Sequence, residues 1–430
     1  MTPSYTTHIL DNGLTVLLQE IHSAPIISHW VWYRVGSRSE VPGKTGVSHW
    51  VEHMQFKGTA ERPGEAMDRT IARNGGIWNA FTYMDWTAFF ETLPADRIGI
   101  ALDLEADRMV NSLFDPEEVE SERSVILSER EGSENDPTFR LTESLRKTAF
   151  PHHPYGTEVI GETEDLERLT RDDLYEHYRT WYVPNNAVLT MAGDFDSDEM
   201  LRRIEAAYGK IPARPVPELR IPPEEAIRGP LTVEEHGPCD ITHLRMDWHA
   251  PGAADPDVFA LTLLDSILAG PTSMNMFGRG GIANRTSRLY RKLVRSGMAA
   301  AIGGGFSPTV DPYLFSLSAL VNPGTGTEEV REAVYEELES IAREGVLPAE
   351  IEKARKQARA IFAYSAENIT NQAHWLGYSS MFADPTWYTG YLPRLDSVRA
   401  EDISWIAGTC FRRDNSLTGI YSAEEKQHEQ

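Results

Sequence analysis

The feature that most constrains the fold is a pattern that occurs twice along the chain. The segment TWYVPNNAVLTMAGDFDSDE, residues 180–199, aligns without gaps on TCFRRDNSLTGIYSAEEKQ, residues 409–427, so that Asn186 and Asn415 lie 229 residues apart. A turn followed by an apolar strand could produce such a likeness by chance. The shared position relative to a second set of strands and helices favours an internal duplication.

Length and composition place a boundary between the two copies. A chain of 430 residues exceeds one ordinary core, because domains average about 150 residues. The segment ARPVPELRIPPEEAIRGP, residues 213–230, is rich in proline and charge, as linkers are. We therefore predict a first domain over 1–212, a linker over 213–231 and a duplicated second domain over 232–430.

Local patterns predict the class of each half. THILDNGLTVLLQE and IISHWVWYRVGS are apolar runs bounded by turn residues, and GIWNAFTYMDWTAFFETL alternates like a hairpin around Met84 and Asp85. Residues 47–56, 96–111 and 115–131 have helical periodicity. Strands mixed with helices predict an α+β fold of two homologous α/β-sandwich halves, each of about 210 residues with a mostly antiparallel mixed sheet packed by helices.

Composition narrows the chemistry. The two cysteines, Cys239 and Cys410, are far apart, which argues against a disulfide framework and a thiolate metal cluster, so a metal would need His, Asp or Glu ligands. The net charge of -24 disfavours nucleic acid as a partner. The acidity serves solubility or favours a basic partner or substrate.

Hydropathy predicts no association with the membrane. No apolar run approaches the roughly 18 residues of a membrane span, and MTPSYTTHILDNGLTVLLQE lacks a basic stretch followed by an apolar core. We expect a cytoplasmic protein, or a periplasmic one if a signal peptide has been removed.

The segment GVSHWVEHMQFKGT holds two histidines and a glutamate on one predicted helix. His49 and His53 are four residues apart and Glu52 is three after His49, so the three side chains can converge. Two imidazoles at this spacing can bind Zn²⁺, although a catalytic zinc needs a third protein ligand. The alternative is a solvent-facing helix that happens to carry two histidines.

The best third ligand lies in FDPEEVESERSVILSEREG. Asp115 is a suitable N-cap, and Glu122 and Glu129, two turns apart, share a helix face with Val119 and Ile126. Carboxylates buried on an apolar stripe without a partner would cost several kcal/mol, and a cation removes that cost. A solvated acidic helix is the alternative.

These motifs together resemble the pitrilysin/insulinase family of inverted-motif (HxxEH) zinc metallopeptidases, particularly the short chains similar to mitochondrial processing peptidase. Besides the helix motif and ERSVILSE, the resemblance includes GGIWNAFT at 75–82, LEADRM at 104–109, HPYGTEVIG at 153–161 and WYVPNNAVLTMAGDF at 181–195. All of these segments occur in the order typical of the family.

The resemblance implies one Zn²⁺ per chain with His49, His53 and Glu129 as ligands, Glu52 as general base, and Glu122 as a carboxylate that orients a ligand imidazole. It implies a zinc-dependent endopeptidase that hydrolyses peptides or unfolded segments. The chain would form half of a closed, clamshell-like chamber.

The family places the GGIWNAFT strand at a sheet edge beside the zinc, where an extended peptide pairs with its backbone. This implies a substrate-binding role for Asn79, Ala80 and Phe81. By alternation Asn79 and Phe81 share one face, and Ala80 and Thr82 the other. A buried strand with an incidental asparagine is the alternative.

The second half departs from the family pattern. Peptidases that carry both functions on one chain have an arginine and a tyrosine here that bind substrate. In SRLYRKLVRSGMAAAI, aligned on Gly297, Ala300 occupies the tyrosine position. The arginine lacks a clean counterpart because one residue is missing, and neither Arg291 nor Arg295 is a convincing substitute. We therefore expect a heterodimer with a paralogous subunit that supplies this pair. A metal-free structural subunit of the same fold, as in respiratory complexes, is the alternative, and the intact zinc motif argues against it. The glycine-containing segment 269–287 is interpreted as a loop, either mobile at the chamber mouth or a plain surface loop.

Overall fold

The computed structural model describes residues 4–274 and 284–424. Part of the predicted loop over 269–287 and the end of the second copy of the repeated pattern lie outside the described residues. Within them the chain forms strands β1 (Thr6–Ile9), β2 (Thr15–Glu20), β3 (Ile26–Tyr33), β4 (Ile77–Thr82), β5 (Thr87–Pro94), β6 (Ala187–Gly193), β7 (Leu231–His236), β8 (Thr242–Ala250), β9 (Ala299–Phe306), β10 (Tyr313–Val321) and β11 (Leu417–Ser422).

The described helices lie between and after the strands in both halves of the chain. They are α1 (Val47–Gln55), α2 (Gly64–Arg73), α3 (Gly99–Asn111), α4 (Pro116–Glu134), α5 (Pro137–Ala149), α6 (Thr163–Arg168), α7 (Arg171–Trp181), α8 (Ser197–Tyr208), α9 (Val258–Leu268), α10 (Thr327–Glu344), α11 (Pro348–Ser365), α12 (Ile369–Phe382), α13 (Thr386–Thr389), α14 (Tyr391–Ser397) and α15 (Ala400–Cys410). The chain is an α+β protein with two sheets packed by helices, as predicted.

The first sheet has the strand order β1-β2-β6-β3-β5-β4. Its strands pair antiparallel except β2 with β6, which are parallel. The central strands β3 and β6 are apolar and almost entirely buried, as expected for strands covered on both faces. Strand β4 lies at the edge, and its residues are exposed or half-buried except Ala80, which is buried.

The second sheet repeats this arrangement without a counterpart of β1 among the described residues. Its order is β7-β11-β8-β10-β9, with β7 parallel to β11 and the other neighbours antiparallel. The 229-residue offset of the repeated pattern carries α7 (Arg171–Trp181) onto α15 (Ala400–Cys410) residue for residue. The topology and this offset agree with the predicted duplication.

The chain divides into two compact units that are not continuous in sequence. The first contains Met1–Glu131, Thr157–Ile221 and Ser365–Gly390, and the second contains Gly132–Gly156, Pro222–Tyr364 and Tyr391–Gln430. One change of unit, at Ile221, falls inside the predicted linker 213–231. The predicted domains 1–212 and 232–430 nevertheless differ from these units in two segments.

Helices α5 and α12 account for that difference. Helix α5 packs against β11 and β7 of the second sheet, whereas α12 packs against β3 and β6 of the first sheet. An amphipathic helix reveals from its sequence that it has an apolar face but not which sheet covers that face. Domain boundaries drawn in sequence order therefore place α5 in the first domain and α12 in the second, whereas α5 belongs to the second unit and α12 to the first.

Among the described helices, none combines the length and the apolar character needed to cross a membrane.

Candidate metal centre

Helix α1 presents the two motif histidines because its opposite side is anchored in the core of the first unit. Val47, Trp50, Val51 and Met54 are at most 3% exposed. The helix starts after Gly46, whose φ of 84° is in the left-handed region and where a Cβ atom would collide with the Ile160 carbonyl oxygen. The core residues therefore fix which face of α1 carries the histidines.

A distant carboxylate caps the start of this helix. Glycine at the N-cap has no side chain to offer, and the Glu40 carboxylate accepts hydrogen bonds from the backbone N–H groups of Gly46 and Ser48, each at 2.8 Å. Glu40 is buried, and burial raises its pKa to about 7 against the effect of these bonds. Glu40 was not among the predicted site residues, because a capping side chain six residues before the N-cap position has no local sequence signature.

The structure brings His49, His53 and Glu129 together. Oε2 of Glu129 lies 4.0 Å from Nε2 of His49 and 3.7 Å from Nε2 of His53, and one ligand atom from each residue lies within 4.8 Å of the others. Donor atoms around a tetrahedral Zn²⁺, with bonds of about 2 Å, are about 3.4 Å apart. Two imidazoles and one carboxylate at these separations fit a zinc site with a position left for water.

Helix α4 carries both glutamates of the motif but buries them unequally. Glu122 is 8% exposed at the side chain and lies beside buried Val119 and Ile126, whereas Glu129 is 49% exposed. The expectation that both carboxylates lie on a buried stripe is wrong for Glu129. It lies two turns further along α4, where the helix faces the histidines rather than the core.

Glu122 holds the imidazole of His53 in place. Its Oε1 lies 2.8 Å from Nδ1 of His53, and Lys57 Nζ lies 2.5 Å from its Oε2. A proton on Nδ1 donated to Glu122 leaves the lone pair of Nε2 directed toward Glu129. The hydrogen bond from His53, together with Lys57, lowers the pKa of Glu122 to about 2.

The two histidines titrate differently in the metal-free chain. Burial, reinforced by the neighbouring His53, lowers the pKa of His49 to about 3, which keeps its imidazole neutral. Burial also acts to lower the pKa of His53, but the hydrogen bond to Glu122 and the nearby carboxylates outweigh it and the pKa is raised. A bound cation would compete with that proton.

Glu52 lies beside the histidines with one oxygen already engaged. The Thr82 hydroxyl at the end of β4 donates a hydrogen bond to Oε2 of Glu52 at 2.7 Å. Burial raises the pKa of Glu52, and the bond from Thr82 opposes that shift. A carboxylate more basic than an exposed glutamate suits a general base. Sequence analysis did not predict a role for Thr82 in the site. The alternation of the strand indicated only that Thr82 lies on the opposite face from Asn79.

The predicted substrate strand is β4 at the edge of the first sheet, next to α1. It pairs with β5, and its other edge has no partner strand among the described residues. Asn79 is exposed, Phe81 is half-buried and Ala80 is buried. The Ala80 N–H donates a hydrogen bond to Oδ1 of Asn79 at 2.9 Å, so an extended peptide at this edge would replace that bond or pair with the remaining backbone groups.

In the second unit, Ala300 lies in the edge strand β9. The nearby Arg288 pairs with Glu350 at 2.6 Å, and Arg291 lies 4.0 Å from the same carboxylate. These arginines therefore have an acidic neighbour within the unit.

Comparisons with known proteins agree with the fold and with one peptidase family. Residues 15–163 match the family model described as "Insulinase (Peptidase family M16)", and residues 168–358 match the model described as "Peptidase M16 inactive domain". An uncharacterized zinc protease of Streptomyces coelicolor is 26% identical over 97% of this chain and 90% of its own length.

Two further matches also cover nearly all of this chain. A protein of Arabidopsis thaliana named probable mitochondrial-processing peptidase subunit beta is 25% identical over 97% of this chain and 78% of its own length. The crystal structure of a protease from Helicobacter pylori superposes with a TM-score of 0.90 at 24% identity, over 98% of this chain and all of the other. The structural likeness shows the fold.

Proposed function

Because the chain belongs to the insulinase family of peptidases, family M16, we propose that it is a zinc-dependent endopeptidase and the catalytic, zinc-bearing chain of its assembly. One observation carries the proposal. His49, His53 and Glu129 converge with donor separations that fit zinc, with Glu52 beside them. A chain with a purely structural role has no physical need for this set.

The residues of the chain divide the work. A bound Zn²⁺ would supply Lewis-acid polarisation of a peptide carbonyl and acidification of water at neutral pH. Glu52, buried and held by Thr82, is placed to accept the proton of the attacking water and to return it to the amide nitrogen that leaves. Glu122 holds His53 in the tautomer that presents Nε2.

The open edge of β4 supports peptides as substrates. An extended peptide would add a strand to this edge, with main-chain hydrogen bonds along Asn79, Ala80 and Phe81. Such pairing reads backbone rather than sequence and requires an extended segment. Unfolded peptides are therefore the proposed substrate class.

We further propose a paralogous partner chain that supplies the arginine and tyrosine missing from the second half. Ala300 stands at the tyrosine position, and Arg288 and Arg291 have Glu350 as a neighbour. The pairing would form the closed chamber. The relative named as a subunit beta is consistent with an assembly of unlike chains.

The test is a comparison of the wild-type chain with Glu52→Gln, each alone and mixed with the paralogous chain. We expect one zinc per chain in both proteins by metal analysis. We expect cleavage of a quenched peptide library by wild type with its partner, and a loss of about 100-fold or more in the variant, because a general base contributes about that much. Glu117→Gln, at an exposed glutamate of α4, is the matched control.

Three results would contradict the proposal. Absence of zinc from the wild type would favour the metal-free structural subunit. Unchanged cleavage by Glu52→Gln would remove the assigned base. Full activity of the chain without a partner would contradict only the proposal of a heterodimer and leave the proposed peptidase activity standing.

A further inference from the structure

We propose that Thr82 is a positioning residue that sets the orientation of Glu52 and joins the peptide-binding strand to the general base. The inference rests on the proposed function. It starts from one contact, the 2.7 Å hydrogen bond that the Thr82 hydroxyl donates to Oε2 of Glu52. Among the described residues, Thr82 is the hydrogen-bond donor to the Glu52 carboxylate, and it engages Oε2. Oε1 therefore remains available to a water molecule.

The Thr82 hydroxyl is itself held in place. Thr82 is paired with Thr87 across the hairpin, and the buried Thr87 donates to the Val35 carbonyl at 2.9 Å while its oxygen lies 3.4 Å from that of Thr82. A β-branched side chain has few accessible rotamers. The proton of Thr82 is therefore directed to Glu52 by a stiff side chain.

The hairpin that carries Thr82 is tied to the segment before α1. Tyr83 N–H donates to the Trp86 carbonyl at 2.8 Å and closes the turn, and the Arg38 N–H donates to the Met84 carbonyl at 2.8 Å. Two residues further on, Glu40 caps the start of α1. The same short segment therefore fixes both the strand end that donates and the helix that carries the acceptor.

This arrangement has a catalytic consequence. A peptide that pairs with β4 would add backbone bonds at Asn79 to Phe81, directly before Thr82, and would order the strand whose last side chain orients the base. A carboxylate released from Thr82 can rotate away from the attacking water, and small misplacements of reacting groups slow a reaction strongly. Thr82 should therefore affect turnover and leave peptide affinity and metal affinity unchanged.

The experiment compares Thr82→Val with Thr82→Ser in the full chain with its partner. Valine keeps the shape and removes the hydroxyl, whereas serine keeps the hydroxyl. We expect Thr82→Val to lower kcat about 10- to 100-fold, the effect of a lost hydrogen bond to a charged group, with KM and zinc content within about twofold of wild type. Thr82→Ser should recover most of kcat. Thr7→Val, on the exposed edge strand β1, is the matched control.

Each other outcome overturns the inference in a recognisable way. Equal losses in the valine and serine variants would mean that Thr82 only packs, and a rise in KM alone would assign it to substrate binding. If the valine variant does not fold, Thr82→Ala against Thr82→Ser makes the same comparison. Failure of wild type to bind zinc or cleave peptides overturns the proposed function, whereas an active wild type with an unaffected Thr82→Val overturns only this inference.

Discussion

His53 shows how single atoms decide the chemistry of the site. Its Nδ1 faces Glu122 at 2.8 Å and its Nε2 faces Glu129 at 3.7 Å. Glu122 is buried and also pairs with Lys57, so it stays ionised, whereas the side chain of Glu129 is 49% exposed. Two glutamates on one helix therefore have different environments, and we expect different roles for them because their burial differs.

Glu122→Gln should weaken zinc binding by about 10- to 100-fold, because the amide cannot hold the His53 imidazole as a carboxylate does. The measurement is competition for Zn²⁺ against a chelator of known affinity. Glu118→Gln is the control, because Glu118 also pairs with Lys57, at 3.4 Å, and forms no hydrogen bond or ion pair with His53 in the described part of the chain. Equal loss in both variants would assign the effect to Lys57 instead.

At the scale of elements, the site depends on how α1 begins. The two N–H groups capped by Glu40 are close to His49 in sequence, and the helix has no cap of its own because Gly46 is required by the close approach of Ile160. Helices α4 and α1 then meet through Glu122 and His53. The position of His49 and His53 follows from this distant cap as well as from core packing.

Glu40→Ala should lower the free energy of unfolding of the metal-free chain by about 1–3 kcal/mol, because two backbone donors lose their acceptor. It should also weaken zinc binding, since the first turn of α1 frays beside His49. Urea denaturation and chelator competition measure the two effects. Glu65→Ala, at an exposed glutamate of α2, should change neither. Loss of stability with unchanged zinc affinity would limit Glu40 to a structural role.

At the scale of the whole molecule, each unit buries a carboxyl group whose pKa is raised to about 7, Glu40 in the first unit and Asp265 in the second. In the second unit, Asp265 of α9 is 3% exposed and accepts a hydrogen bond from Thr272 at 2.8 Å, while its other oxygen has no hydrogen-bond partner among the described residues. Burial raises the pKa of Asp265 to about 7. The second unit therefore carries a carboxyl group that folds most favourably when it is protonated.

The contribution of Asp265 to the free energy of unfolding depends on pH. Because the folded-state pKa lies above the unfolded value, the native chain binds more protons between about pH 4 and pH 7, and the contribution to stability is lost as pH rises through that window. The total is on the order of 4 kcal/mol. Asp265→Asn should flatten this part of the pH dependence in urea denaturation between pH 5 and pH 8, whereas Asp240→Asn, at an exposed aspartate, should not. A variant with the same slope as wild type would refute the assignment.

The sequence by itself determined whatever depends on residues close in the chain. The spacing of His49, Glu52 and His53 is a property of one helix turn, and the α4 pattern and the β4–β5 hairpin are equally local. The duplication and the α+β class followed from a repeated pattern and its linker. The resemblance then indicated Glu129, which local spacing alone could only suggest.

Only the tertiary structure decided the contacts between residues that are distant in sequence. In the folded chain Thr82 donates a hydrogen bond to Glu52, and Glu40 caps the start of α1. Glu129 remains half-exposed. Helices α5 and α12 pack on sheets that their sequence order does not predict. The reason is physical. Alternation and helical periodicity reveal that an element has two faces, but which neighbour covers each face depends on how the whole sheet is assembled.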